Sequence, residues 1–253
     1  MYSEFTDQVV VVTGATRGLG RAIAEGFARW GARLVLTSRS QQDCEEAASE
    51  MAGTYEISRP VAIACDMSDD DAIVACCERV HAELGAVAVL VNNAGLNPGP
   101  DFEPLKHDTY RRVFDTNVWG PVHMSELMIP KMVEAGSGSI VNITTVGAYR
   151  GAFPVSVYGA SKAALLNFTQ SMAMQHAASG IRVNAVSPGP FRTPMMDQLA
   201  EAIPGFYEFA AENNEMKRIG DPHELVPAVL YLASSHASYV TGEDHVVAGG
   251  FFR

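Results

Sequence analysis

The feature that most constrains the fold is an alternation. Seven short apolar runs rich in β-branched residues, at 9–13, 33–37, 61–65, 87–91, 139–144, 182–187 and 245–247, are separated by longer stretches of helical character. Those stretches fall at 21–30, 41–51, 69–84, 109–134, 157–178 and 222–233. Runs that are apolar throughout belong to strands covered on both faces, and strands separated by helices pair in parallel. With right-handed crossovers the expected fold is α/β, a single doubly wound parallel sheet with helices on both faces. Ligands of such a sheet bind outside the carboxyl ends of its strands. No low-complexity linker, charge block or internal repeat divides the chain, so one domain over residues 1–253 is expected.

Composition excludes several classes of function. Hydrophobic residues make up 47% of the chain, enough for a large core. No apolar run reaches the ~20 residues of a membrane helix. Residues 1–7 carry neither the basic region nor the apolar stretch of a secretory signal, and a strand follows directly; a cytoplasmic protein is expected. A formal net charge of −11 disfavours a sequence-independent grip on nucleic acid or an anionic membrane. Cys44, Cys65, Cys76 and Cys77 lack the paired spacing of a zinc site and read as small buried thiols; no metal is expected.

The first strand runs into Thr13-Gly14-Ala15-Thr16-Arg17-Gly18-Leu19-Gly20 and then a helix. Glycines let the backbone turn sharply and approach a pyrophosphate, while a helix N-terminus offers unpaired N–H groups and the positive end of its dipole. The spacing is Gly-x-x-x-Gly-x-Gly, not the commoner Gly-x-Gly-x-x-Gly, and a strand-to-helix turn of this kind is weak evidence alone.

Five further motifs follow in order: Asn92-Asn93-Ala94-Gly95; Asn117 in the long helical stretch; Asn142-Ile143-Thr144-Thr145; Tyr158-Gly159-Ala160-Ser161-Lys162; and Pro188-Gly189-Pro190-Phe191-Arg192-Thr193. Over essentially its whole length the chain resembles the short-chain dehydrogenase/reductase family, and in particular 3-oxoacyl-[acyl-carrier-protein] reductases. The resemblance implies a Rossmann-type sheet and hydride transfer between a nicotinamide cofactor and a carbonyl or secondary alcohol. It implies that Gly14, Thr16, Arg17, Gly18, Leu19 and Gly20 hold the cofactor phosphates. Asp66 and Met67 would lie near the adenine, Asn93, Ala94 and Gly95 beside the cofactor, and Pro188, Gly189, Phe191 and Thr193 near the nicotinamide. It also implies a substrate lid at about 190–216 and a homotetramer or homodimer, with 109–134 supplying one interface. The ending Ala248-Gly249-Gly250 departs from the family's Asp-Gly-Gly.

An enzyme selecting NAD usually places a carboxylate about 20 residues past the loop, at the end of the second strand. This chain has Leu36-Thr37-Ser38-Arg39-Ser40 there. Arg39 can fork onto a ribose 2′-phosphate, with Arg17 a second cation and Ser38 beside it, so NADP(H) is the expected cofactor.

Tyr158 and Lys162 stand four apart on a helix and share a face. A neighbouring ammonium favours a phenolate, so the pair suits a general acid in reduction and a base in oxidation, with its pKa drawn below the usual ~10. By resemblance Lys162 also binds the nicotinamide ribose, and Asn117 holds a water on the proton path. The family's serine, thirteen residues before Tyr158, is here Thr145. Threonine keeps the donor hydroxyl, while its methyl stiffens χ1 and narrows the pocket. Thr144 is the alternative should the register be shifted by one.

Two competing readings remain. A cofactor-binding sensor or scaffold without chemistry is invited only by Thr145. A serine hydrolase would use Ser161 at an elbow between a strand at 155–158 and the following helix, with Asp197 or Asp221 and His236 or His245 downstream.

Overall fold

In the computed structural model, which describes residues 3–100, 103–151 and 154–251, the expected strands form one parallel sheet. The elements run β1 Val9–Thr13, α1 Gly18–Ala28, β2 Arg33–Ser38, α2 Gln41–Tyr55, β3 Val61–Ala64, α3 Asp70–Leu84, β4 Val89–Asn92, α4 His107–Phe114, α5 Gly120–Glu134, β5 Gly138–Ile143, α6 Ser156–His176, β6 Ile181–Pro188, α7 Pro194–Ala202, α8 Phe206–Glu212, α9 Val226–Ala233 and β7 Asp244–Val247. Strand order is β3-β2-β1-β4-β5-β6-β7, a Rossmann-type arrangement. The chain winds outward from β1 to β3, then restarts with β4 on the other side of β1. Such a switch point opens a crevice between the loops after β1 and β4.

Period-two alternation along each strand splits the core into two layers. Val10, Val12, Val89 and Val91 pack with α1, α2 and α9, around Ile23, Phe27, Met51 and Leu230. Val9, Val11, Leu90 and Ile140 point the other way, onto α3, α5 and α6, around Ile73, Val80, Met128 and Met172. All four cysteines are buried free thiols.

The stretch expected as one helix over 109–134 differs in detail. Between α4 and α5 lies a π-helical turn, Asp115–Trp119, that contains Asn117. It falls where the helix presses on the loop after β3, for a Cβ on Gly120 would stand 2.1 Å from the Met67 carbonyl oxygen. One extra residue only shifts the phase of the apolar pattern, a change not legible in a single short segment, and such turns occur often at functional sites.

Candidate active site

The glycine loop is held open by its neighbours. Gly14 has φ +63° and Gly18 φ +58°, both in the region that favours glycine. Gly20 is required for space: a Cβ there would lie 2.2 Å from the Gly14 carbonyl oxygen and 2.3 Å from Asn93 Nδ2. The β4 loop clamps this turn. Asn93 Nδ2 donates to the carbonyls of Thr13 (2.9 Å) and Gly14 (3.2 Å), and the Thr13 hydroxyl accepts the N–H groups of Asn93 and Ala94, each at 3.0 Å. Asn93 therefore shapes the loop from behind. No side chain caps the first turn of α1, whose N-cap is Arg17, so its N–H groups remain for a ligand.

Arg17 and Arg39 are exposed, and their guanidinium groups make no hydrogen bond or ion pair among the described residues. Ser38 Oγ is engaged with Ser40, donating to its carbonyl at 3.1 Å and accepting its N–H at 3.2 Å. Asp66 Oδ1 accepts from the Ser68 amide and hydroxyl. A backbone cradle with uncapped N–H groups fits the pyrophosphate of a nicotinamide dinucleotide in shape and charge.

On the other side of the crevice, the carboxyl end of β5 meets α6. Lys162 is buried, and its Nζ donates to the Ile143 carbonyl oxygen at 2.8 Å. The backbone at Gly95 closes over it, a Cβ there lying 3.3 Å from Nζ and 3.6 Å from Asn117 Oδ1. Burial pulls the Lys162 ammonium down to about 8 and pushes the Tyr158 phenol up to about 12. The expected lowering of Tyr158 by its lysine is thus not seen in the protein alone, where burial of the phenol disfavours the phenolate. The Tyr158 hydroxyl makes no hydrogen bond among the described residues.

The two threonines separate clearly. Thr144 is buried, its hydroxyl bonded to the Val186 carbonyl (3.1 Å) and Ser187 Oγ (2.6 Å), so it has nothing left for a ligand. Thr145 is partly exposed at the start of the 3₁₀ turn Val146–Ala148, and its Oγ accepts the Gly147 N–H at 3.3 Å. That bond occupies a lone pair and leaves the hydroxyl proton free to donate. Of the two hydroxyls, that of Thr145 is the one with a proton not already engaged.

Asn117 is fully buried, with Oδ1 accepting from the Leu96 N–H (2.6 Å) and Nδ2 donating to the Leu96 carbonyl (2.9 Å) and Ser161 Oγ (3.0 Å). Its amide fixes the loop after Gly95 to α6. Ser161 is equally buried and donates to the Tyr158 carbonyl at 2.7 Å. The helix already runs from Ser156, with no strand before it, so the hydrolase reading loses both its elbow and its nucleophile.

The Met67 and Phe191 side chains turn away from the crevice into the two core layers, which leaves only their backbone groups for a ligand. Phe191 packs onto Gly220, where a Cβ would lie 2.8 Å from the ring. Thr193 caps α7 and stands over the glycine loop, its Cβ 3.6 Å from a Cβ built on Gly18. Gly189 donates its N–H to the Val247 carbonyl at 2.9 Å, next to Pro188. Thr16 and Leu19 are partly exposed along the loop.

Sequence reasoning quoted Thr13 and Asn92 in their motifs without giving them a role, and missed Asn214. Asn92 Nδ2 donates to Asn142 Oδ1 (2.8 Å), and Asn142 Nδ2 to Thr169 Oγ1 (2.8 Å), a buried polar line tying β4 through β5 to α6. Asn92 and Asn142 are opposite each other in register, a relation visible only once the strands are paired. Asn214 is buried, donating to the Ala248 carbonyl at 3.0 Å, and Gly249 and Gly250 adopt positive φ around it.

Comparison with known proteins agrees with this geometry. The family described as enoyl-(acyl carrier protein) reductase matches residues 14–252. The chain belongs to the short-chain dehydrogenase/reductase family of oxidoreductases. The oxidoreductase UcpA of Escherichia coli is 34% identical over 98% of this chain and 95% of its own length. The 3-oxoacyl-[acyl-carrier-protein] reductase FabG of Vibrio harveyi is 34% identical over 97% of each chain. The structure of L-sorbose reductase from Gluconobacter frateurii, complexed with NADPH and L-sorbose, superposes with a TM-score of 0.93 at 28% identity, covering 100% of this chain and 99% of that one. Among the described residues no helix is long and apolar enough to cross a membrane, and no group of three His, Cys, Asp or Glu could hold a metal.

Proposed function

We propose that this family member is an NADP(H)-dependent reductase of a small carbonyl compound, running as a secondary-alcohol dehydrogenase in reverse. The observation that carries the reading is Lys162, a buried ammonium with no carboxylate partner among the described residues, one helical turn from a tyrosine whose hydroxyl has none there either. An unpaired buried charge is costly and persists where chemistry needs it. When bound, NADP(H) supplies or accepts the hydride.

The chain's own groups handle the oxygen. Thr145 Oγ donates a hydrogen bond to the substrate carbonyl oxygen, and Tyr158 Oη gives its proton to that oxygen as negative charge develops there. A phenol held at about 12 is still a far stronger acid than an alcohol, so transfer to a nascent alkoxide is downhill. Running in reverse, the phenolate is needed as base. Lys162, with further N–H donors beyond the one given to Ile143, favours that phenolate and holds the nicotinamide ribose. Asn117 keeps Leu96 and Ser161 in place beside it. Gly14 to Gly20 receive the pyrophosphate, Asp66 the adenine, and Arg39 with Arg17 the 2′-phosphate.

Residues 190–216 form the substrate lid, with Met195 and Phe209 exposed on α7 and α8. A single domain assembles as a homotetramer or homodimer, a reading supported by exposed Tyr110 and Trp119 around the π turn and Phe168 on α6. A cytoplasmic location is supported by four free thiols in place of disulfides.

The test is a screen of acetoacetyl-CoA, L-sorbose and 2,3-butanedione with NADPH and NADH, following loss of cofactor absorbance. NADPH should be preferred in kcat/KM by roughly 10- to 150-fold, the scale of a charge-assisted contact. Arg39→Ala should remove most of that preference through the KM for NADPH, with NADH barely affected. Equal use of NADH by the unaltered protein would overturn the cofactor assignment.

A further inference from the structure

The turn carrying Thr145 is held from both sides by one carboxylate that arrives from a distant part of the chain. On the N-terminal side, Thr144 Oγ1 lies 2.6 Å from Ser187 Oγ, and Ser187 Oγ donates to Asp244 Oδ2 at 2.6 Å. Ser187 gives its one proton to the carboxylate, and the one proton of Thr144 is shared between Ser187 Oγ at 2.6 Å and the Val186 carbonyl at 3.1 Å. On the C-terminal side, Tyr149 closes the 3₁₀ turn, its N–H bonding to the Val146 carbonyl, and its hydroxyl donates to the same Asp244 Oδ2. Burial and the adjacent carboxylate push the Tyr149 phenol up to about 12, which keeps it a donor at neutral pH. The other oxygen, Asp244 Oδ1, is buried with no hydrogen-bond partner among the described residues. Half of the carboxylate is therefore desolvated with no compensating bond, a cost that anchoring a loop does not require.

We propose that Asp244 and Tyr149 are positioning residues that aim the Thr145 hydroxyl. The carboxylate of β7 gathers Thr144, through Ser187, and Tyr149 onto one oxygen, and Thr145 lies in the short arc between them. Neither residue touches substrate. They act through the orientation of Thr145, and the proposal rests on the reading of Thr145 as donor to the substrate oxygen.

The test is a double-mutant cycle on kcat, using whichever of acetoacetyl-CoA, L-sorbose and 2,3-butanedione is turned over fastest. Tyr149→Phe at an exposed residue should lower kcat roughly tenfold, the scale of one charge-assisted hydrogen bond, with the NADPH Kd within about twofold. In a Thr145→Val background, which has no hydroxyl to aim, the same change should cost less than about twofold. Asp244→Asn, which keeps size and one acceptor, should show the same non-additivity; if it fails to fold, Tyr149→Phe carries the test. Independently of turnover, Tyr149→Phe should speed amide exchange across 146–149. An equal loss in both backgrounds, or unchanged exchange, overturns the positioning role alone. Full activity of Thr145→Val overturns it together with the assignment of Thr145.

Discussion

The two walls of the crevice are built by opposite means. The wall after β1 is backbone: glycines at positive φ, a capless helix start and an asparagine clamp, with its cations left loose at the surface. The wall after β5 is side chain: a buried lysine, a buried asparagine line and hydroxyls tied to a carboxylate from β7. A phosphate is met well by a fixed array of N–H groups, because its charge is the same before and after reaction. A carbonyl oxygen changes charge during reaction, and only movable protons on titratable groups can follow it. The division predicts that damage on one wall should be read in binding and damage on the other in rate.

The sharpest way to break that division is Tyr158→Phe. Loss of the general acid should lower kcat by roughly 10²- to 10⁴-fold and leave the NADPH Kd within a few-fold, measured by cofactor fluorescence titration. More than a tenth of the wild-type rate would remove Tyr158 from the mechanism.

Gly20→Ala probes the opposite wall. In an ordinary helix alanine would stabilise by ~0.5–1 kcal/mol, but here its methyl meets the Gly14 carbonyl oxygen and Asn93 at little over 2 Å. Overpacking of this kind costs roughly 1–3 kcal/mol, so the NADPH Kd should weaken by about 10- to 100-fold. Unchanged affinity would show that the clamp is not what shapes the cradle.

The smallest effect is on stability. Lys162 titrates at about 8 when folded against 10.5 when unfolded, so between these values the unfolded state binds more protons and wild-type stability rises with pH. Below pH 8 the full cost of the buried ammonium is present. Lys162→Met should therefore be inactive yet more stable at pH 7 by about 1–2 kcal/mol, once the lost bond to Ile143 is allowed for. Urea unfolding should show this gain shrinking toward pH 10.5, and a variant less stable than wild type at pH 7 would show that the ammonium is not strained.

Most of the fold was legible because its signal is local and repeated. Seven apolar runs became seven parallel strands, with ends shifted by one or two residues, as at β4, where 87–91 became Val89–Asn92. The glycine loop was legible too, since its spacing depends only on backbone turning into a helix. The π turn at Asn117 was not, because one extra residue shifts the apolar phase once, too weak a signal within a single helical stretch.

What the sequence by itself determined is the order of elements, the doubly wound sheet and the residues gathered at its carboxyl edge, all consequences of local periodicity and glycine placement. Only the tertiary structure decided which of those residues are free to act. Thr144 and Thr145 are identical neighbours in sequence, and what separates them is Ser187, which takes the hydroxyl of the first and leaves the second. Phe191, in a matching motif, and Met67, expected near the adenine, have side chains that core packing turns away. Tyr158 sits above its ordinary pKa because burial, a property of the whole fold, disfavours the phenolate. Hydrogen-bond allegiance and desolvation are set by groups far apart in the chain, so no local pattern encodes them.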